Sequence, residues 1–111
     1  FLPFRALNDA PSAMTAHVVF PAIDTERPAS TSKPVISEVI RGEIGFDGLL
    51  MSDDLSMHAL SGPMRQRAQE VLAAGCDVAL HCNGDMGEMR EAAEGCVPLS
   101  GRAAERFARA W

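Results

Sequence analysis

The stretch Gly45–Met57, GFDGLLMSDDLSM, decides how the chain folds. An apolar run, Gly48-Leu49-Leu50-Met51, passes directly into Ser52-Asp53-Asp54. The unbroken run reads as a parallel strand, Gly48–Ser52, covered on both faces. Two adjacent carboxylates do not belong in such an interior, because an unpaired buried charge is costly. They are therefore expected where the strand opens to solvent or to a ligand. Strand alternation separates them. Asp53 shares a face with Leu49 and Met51, and Asp54 points toward the helical layer or the next loop. The plainer reading of the pair is an N-cap for whatever follows.

Outward from this strand, secondary-structure signals alternate. Upstream, Ser32 is a plausible N-cap and Pro34 lies in the first turn of a helix. Val35, Ile36, Val39 and Ile40 form its apolar face, and Gly42 to Gly45 close it. The preceding segment Asp24–Pro34, DTERPASTSKP, is polar and reads as a loop. Ser12–Phe20 reads as a strand on its Val18-Val19-Phe20 end, stopped by Pro21. The opening FLPFRAL has the look of a helix tail. Downstream, the loop DDLSMHALSG leads to a helix near Pro63–Ala74 with Gly75 as its C′ residue. Asp77–Cys82 is a third strand, followed by helices near Met86–Ala93 and Ser100–Trp111. In the last helix, Ala103, Ala104, Phe107, Ala108 and Trp111 form a stripe read as core. Alternation of this kind means right-handed βαβ units and a parallel sheet.

Bulk properties narrow the function. The chain has 111 residues, enough for one small domain, and is 47% hydrophobic and 23% charged. Its net charge of −5 argues against non-specific nucleic-acid binding. Its arginines look scattered over the predicted helices. No apolar run approaches the roughly 20 residues of a membrane span, so no membrane partner is expected. No charged leader with a cleavage site opens the chain, and the 3 cysteines suggest free thiols in a reducing compartment. Both features favour a cytoplasmic location. Cys76 and Cys82 flank one strand and are expected to lie too far apart to bridge.

In parallel α/β folds, chemistry collects at the carboxyl ends of strands. The predicted strand ends offer His17 and Asp24, then Asp53 and Asp54, then His81 and Asn83. His81 with Cys82 and Cys76 lacks metal-ligand spacing, so no metal is expected. NGDMG, Asn83–Gly87, is too short for a phosphate loop and lacks a Lys, and no organic cofactor is expected. Lys33, the only lysine, lies in a loop, which disfavours a Schiff-base lyase.

A longer pattern is more specific. VIRGEIGFDGLLMSDDLS, Val39–Ser56, carries paired aliphatics, Arg41, Glu43, Gly48, Leu49-Leu50-Met51, Ser52-Asp53 and Ser56. It resembles the active-site signature of family 3 glycoside hydrolases. SDDLSM and MTAHVVFPAID, with PFRAL and DVALHCNG, resemble the bacterial β-N-acetylhexosaminidase branch. The resemblance implies a (β/α)8 TIM-type barrel, of which residues 1–111 supply about three βα units at its C-terminal part. It implies that Asp53 is the nucleophile of a retaining mechanism releasing terminal β-linked N-acetylglucosamine. His17, Asp54 and His81 are the candidate substrate-binding residues. The substrate would be an N-acetylglucosamine-containing saccharide or muropeptide, in cell-wall recycling, with neither metal nor organic cofactor. The family's His-Asp acid/base lies in an upstream segment resembling Lys-His-Phe-Pro-Gly-His-Gly, which has no counterpart here. His58, in the loop after Asp53, is the histidine best placed to move. The alternative is an α/β fragment without turnover. An incomplete barrel exposes strand edges, so a chain truly this short is expected to self-associate.

Overall fold

A computed structural model describes residues 1–111. Three short strands lie side by side, all parallel, in the order β1-β2-β3. They are β1 Ser12–Met14, β2 Leu49–Asp54 and β3 Val78–Leu80. The helices are α1 Leu2–Arg5, α2 Met64–Ala74, α3 Met86–Glu94 and α4 Gly101–Ala110. A 3₁₀ turn, Ala29–Thr31, and a π-helix, Val35–Glu43, lie between β1 and β2. The chain is thus an α/β unit whose sheet is wholly parallel, as the alternation predicts.

One face of the sheet is packed. Leu50 joins Ile36, Phe46, Leu55, Leu60, Met64, Ala68 and Val71 in a buried cluster beneath the π-helix and α2. Ala92 brings α3 into the same cluster. Ser32 lies just ahead of the π-helix, its Oγ accepting from the Val35 N–H at 3.3 Å, while Pro34 directly precedes the first residue. The widened turn, with the Ile44 N–H on the Val39 carbonyl, departs from the ordinary helix expected here. Ser37 Oγ donates to the Lys33 carbonyl, occupying an acceptor that an α-helical N–H would use.

Two glycines are demanded by geometry. Gly75 closes α2 at φ 121°, a left-handed conformation that a side chain would strain. At Gly48 an added Cβ would sit 2.6 Å from the Ala10 carbonyl and 2.7 Å from the Phe46 ring. That close approach lets β2 start beside Pro11, whose carbonyl accepts from the Leu49 N–H.

Four sequence expectations need correction. The strand expected over Ser12–Phe20 ends at Met14. Beyond it, the Ala16 and Val18 carbonyls accept from Ser30 and Ala29, and Val19 pairs antiparallel with Pro28. The backbone has exchanged sheet partners for the returning loop. That loop is not simply a solvated connection, because Ala29, Ser30, Thr31 and Ser32 are all buried. The middle strand continues through Asp54 where a loop was expected. Phe107 and Trp111 are not core, and Trp111 is 87% exposed. The arginines of α4 determine which of its faces meets the sheet, as described below.

Candidate active site

The carboxyl end of β2 holds the Ser52-Asp53-Asp54 triplet, and the ladder is irregular there. Met51 pairs with Val78, but Asp54 pairs with Leu80. Two residues of β2, Ser52 and Asp53, therefore oppose one of β3, which is a bulge. Fully buried Ser52 repairs the ladder, its Oγ accepting from the Leu80 N–H at 3.0 Å.

The two carboxylates then have different surroundings. Asp54 is braced internally. Its Oδ1 accepts from the Ser56 N–H at 3.0 Å and the Cys82 N–H at 3.0 Å, and its Oδ2 from Ser56 Oγ at 2.6 Å. Partial burial alone would raise its pKa. Hydrogen bonds from Ser56 and Cys82, with the nearby His81, bring it below the ordinary value, so Asp54 stays ionised. Asp53 is half-buried and makes a single hydrogen bond, from the Asp54 N–H to its Oδ1 at 2.8 Å. Its other oxygen is unclaimed within the protein. Of the pair, Asp53 has the lone pairs available to a ligand.

His17 lies against the same strand end. Its Nε2 is 2.8 Å from the Asp54 carbonyl, and its Nδ1 is 2.8 Å from Ser30 Oγ. Ser30 Oγ is in turn 2.7 Å from Thr15 Oγ1. A carbonyl only accepts, so Nε2 carries the proton and donates. A neutral ring then accepts at Nδ1 from Ser30, which accepts from Thr15. Both ring nitrogens are engaged within the protein.

His81, at the end of β3, is paired with Glu88 of α3, Nε2 to Oε2 at 2.7 Å. Asn83 Nδ2 donates to the same Glu88 oxygen at 2.7 Å. These bonds, from His81 first and Asn83 second, hold the Glu88 carboxyl below its ordinary pKa. His81 Nδ1 is buried without a partner. Asp24, the other candidate near the first strand, shapes a turn. It accepts from the Glu26 and Arg27 N–H groups and from Ser32 Oγ. His58 is exposed. The structure thus gathers His17, Asp53 and Asp54 at one strand end, and ties His81 to the neighbouring helix.

At the opposite, amino end of the strands lies a network that the sequence reading missed. Asp77, only 4% exposed at its side chain, bonds Arg41 at 2.8 Å and Arg106 at 3.0 Å. Its Oδ2 also accepts from the Leu50 N–H at 2.9 Å. Asp47 receives Arg102, Arg106 and Arg109 of α4. The arginines are not scattered but converge on two carboxylates. Spacings of four and three along one helix were the available signal. A shallow cleft there is lined by Asn8, Asp47, Gly48, Arg106 and Arg109, far along the strands from Asp53. Its charges are satisfied by one another.

A parallel α/β sheet with ionisable side chains at the carboxyl end of its middle strand is the arrangement of enzymes that work at strand mouths. The Glycosyl hydrolase family 3 N terminal domain matches residues 1–105, and the chain belongs to that family. It is 46% identical over 85 residues to a beta-hexosaminidase of Bordetella avium, covering 73% of this chain and 24% of that protein. Against a beta-hexosaminidase of Alkalilimnicola ehrlichii it is 48% identical over 86 residues, 74% of this chain and 24% of the relative. The crystal structure of NagZ from Neisseria gonorrhoeae in complex with N-trifluoroacetyl-D-glucosamine superposes with a TM-score of 0.80 at 34% identity. That match covers 97% of this chain and 32% of NagZ. The chain therefore spans about a quarter of the length of the curated relatives it matches.

Proposed function

We propose that this chain carries the nucleophile of a retaining β-N-acetylhexosaminidase, and that Asp53 is that nucleophile. The observation that carries the reading is the division of labour between the two carboxylates. Asp54 is consumed by three internal hydrogen bonds, whereas Asp53 keeps an unclaimed oxygen at a strand mouth.

An Asp53 carboxylate would attack the anomeric carbon of a terminal β-linked N-acetylglucosamine. The bond to the leaving oxygen breaks, a covalent glycosyl-aspartate forms, and water then releases the sugar with retention. The bulge and the Asp54 N–H orient the attacking group. His17, Asp54 and His81 belong to the same rim, with Asp54 acting as its brace. The three βα units would form part of a TIM-type barrel whose other strands supply the acid/base and the sugar-gripping residues. The N. gonorrhoeae NagZ complex with a glucosamine derivative supports the sugar class. Cytoplasmic muropeptide recycling is the setting this reading favours.

A second reading, an α/β fragment with no turnover, is favoured by one observation. His17 and His81 are both committed to internal partners, which leaves neither free as the acid. One assay separates the two. An aryl β-N-acetylglucosaminide with a good leaving group needs little acid assistance. Hydrolysis by the wild type that is lost in Asp53→Asn supports the enzyme. Equal background rates for both reject turnover by this chain.

A further inference from the structure

We propose that His17 is a positioning residue for Asp53, acting through the backbone of Asp54 and not on the sugar. The inference rests on the reading of Asp53 as nucleophile, and deepens it.

The geometry is a relay of short contacts. Thr15 Oγ1 lies 2.7 Å from Ser30 Oγ, and Ser30 Oγ lies 2.8 Å from His17 Nδ1. His17 Nε2 lies 2.8 Å from the Asp54 carbonyl, and the Asp54 N–H is 2.8 Å from Asp53 Oδ1. One residue, Asp54, is thus held by its C=O from the His17 side and gives its N–H to the nucleophile. Position matters because the strand is bulged at this point. A bulge removes the ladder bonds that would otherwise hold the backbone direction. Ser52 restores the β3 side, and on the other side, where β1 has already ended at Met14, His17 supplies the contact. The anchor at the far end is rigid, since Ser30 is fully buried and Thr15 nearly so. With both nitrogens engaged, the ring has nothing left to offer a sugar hydroxyl. An attacking oxygen that drifts by about 1 Å can cost on the order of a hundredfold in rate.

The test combines two readouts on the 111-residue chain. His17→Leu removes the donor. His17→Gln keeps an N–H at a similar reach. Ser30→Ala leaves the ring in place but removes its anchor, and covers the case in which the Leu variant does not fold. With an activated aryl β-N-acetylglucosaminide, His17→Leu is expected to lower kcat on the order of tenfold to a hundredfold at unchanged KM. His17→Gln is expected to restore most of it. By NMR, the Asp54 amide resonance should move in His17→Leu and Ser30→Ala and return in His17→Gln. A raised KM at unchanged kcat, or an equal loss in the Leu and Gln variants, would overturn the proposal. So would an Asp54 amide indifferent to His17. If the wild type shows no turnover, turnover by this chain alone is rejected, and the amide readout alone decides what His17 does.

Discussion

Ser52→Ala leaves the Leu80 N–H without its acceptor at the bulge. The loss of a buried partner should cost about 1–3 kcal/mol, measured by urea unfolding. A cost near zero would mean that water replaces the hydroxyl and that the bulge is not held from this side. At this scale the sequence was informative about Asp53 and Asp54, since an apolar strand running into two carboxylates has few physical explanations. It offered His17 as a strand-end candidate but gave no sign of its partners, the Asp54 carbonyl and Ser30. A side chain that bonds a backbone carbonyl 37 residues away leaves no periodicity to read. The buried Ser30 was hidden in a polar stretch whose composition resembles any solvated loop.

Among the elements, α4 behaves least as its sequence suggests. Its alanines and aromatics form a helical stripe, yet Phe107 is 43% exposed while Arg106 is drawn inward. Three arginines on one carboxylate outweigh a weak apolar stripe, because charge-assisted bonds are stronger and directional. Hydrogen bonds from Arg106, then Arg109, then Arg102 hold the Asp47 carboxyl well below its ordinary pKa of 3.8. Above pH about 4 both the folded and unfolded chains ionise Asp47, so the stabilisation is fully present. As pH falls below that, the unfolded chain takes up the proton first, and the stabilisation is lost toward the lower folded pKa. The protection of the α4 amides, taken relative to their intrinsic exchange rates at each pH, should therefore fall in acid, and at neutral pH in Asp47→Ala. Exchange in α4 that ignores both would show that other contacts dock it. Removing Asp77 instead strands Arg41 and Arg106 in a less exposed setting. Asp77→Ala should cost about 3–5 kcal/mol in chemical denaturation. Helix existence was legible from Gly and Pro punctuation, but the docked face was not, since it depends on which carboxylates the sheet presents.

For the whole molecule, the decisive quantity is the small interior. Only 22 of 111 residues are buried, while Phe1, Leu2, Phe4, Val18 and Trp111 are each at least half exposed. Both outer strands, β1 and β3, have an unpaired edge. Parallel order was legible from strand-helix alternation, but closure into a barrel depends on strands that these residues do not include. On its own this chain should self-associate, and sedimentation should give a mass above 11.9 kDa that falls on dilution. A sharp monomer at high concentration would contradict that expectation. Thiol chemistry tests the packing independently. Cys76 is buried and its pKa is pushed up to about 12, chiefly by burial, whereas Cys82 and Cys96 are exposed. A thiol reagent should titrate two groups in the folded protein and the third only on unfolding.

The most direct test of the central claim is covalent trapping. A 2-acetamido sugar fluoride designed to stall at the glycosyl-enzyme stage is incubated with the protein, and the modified peptide is read by mass spectrometry. One adduct is expected, carried by Asp53 and absent from Asp53→Asn. An adduct on Asp54, or an adduct that persists in Asp53→Asn, would contradict it.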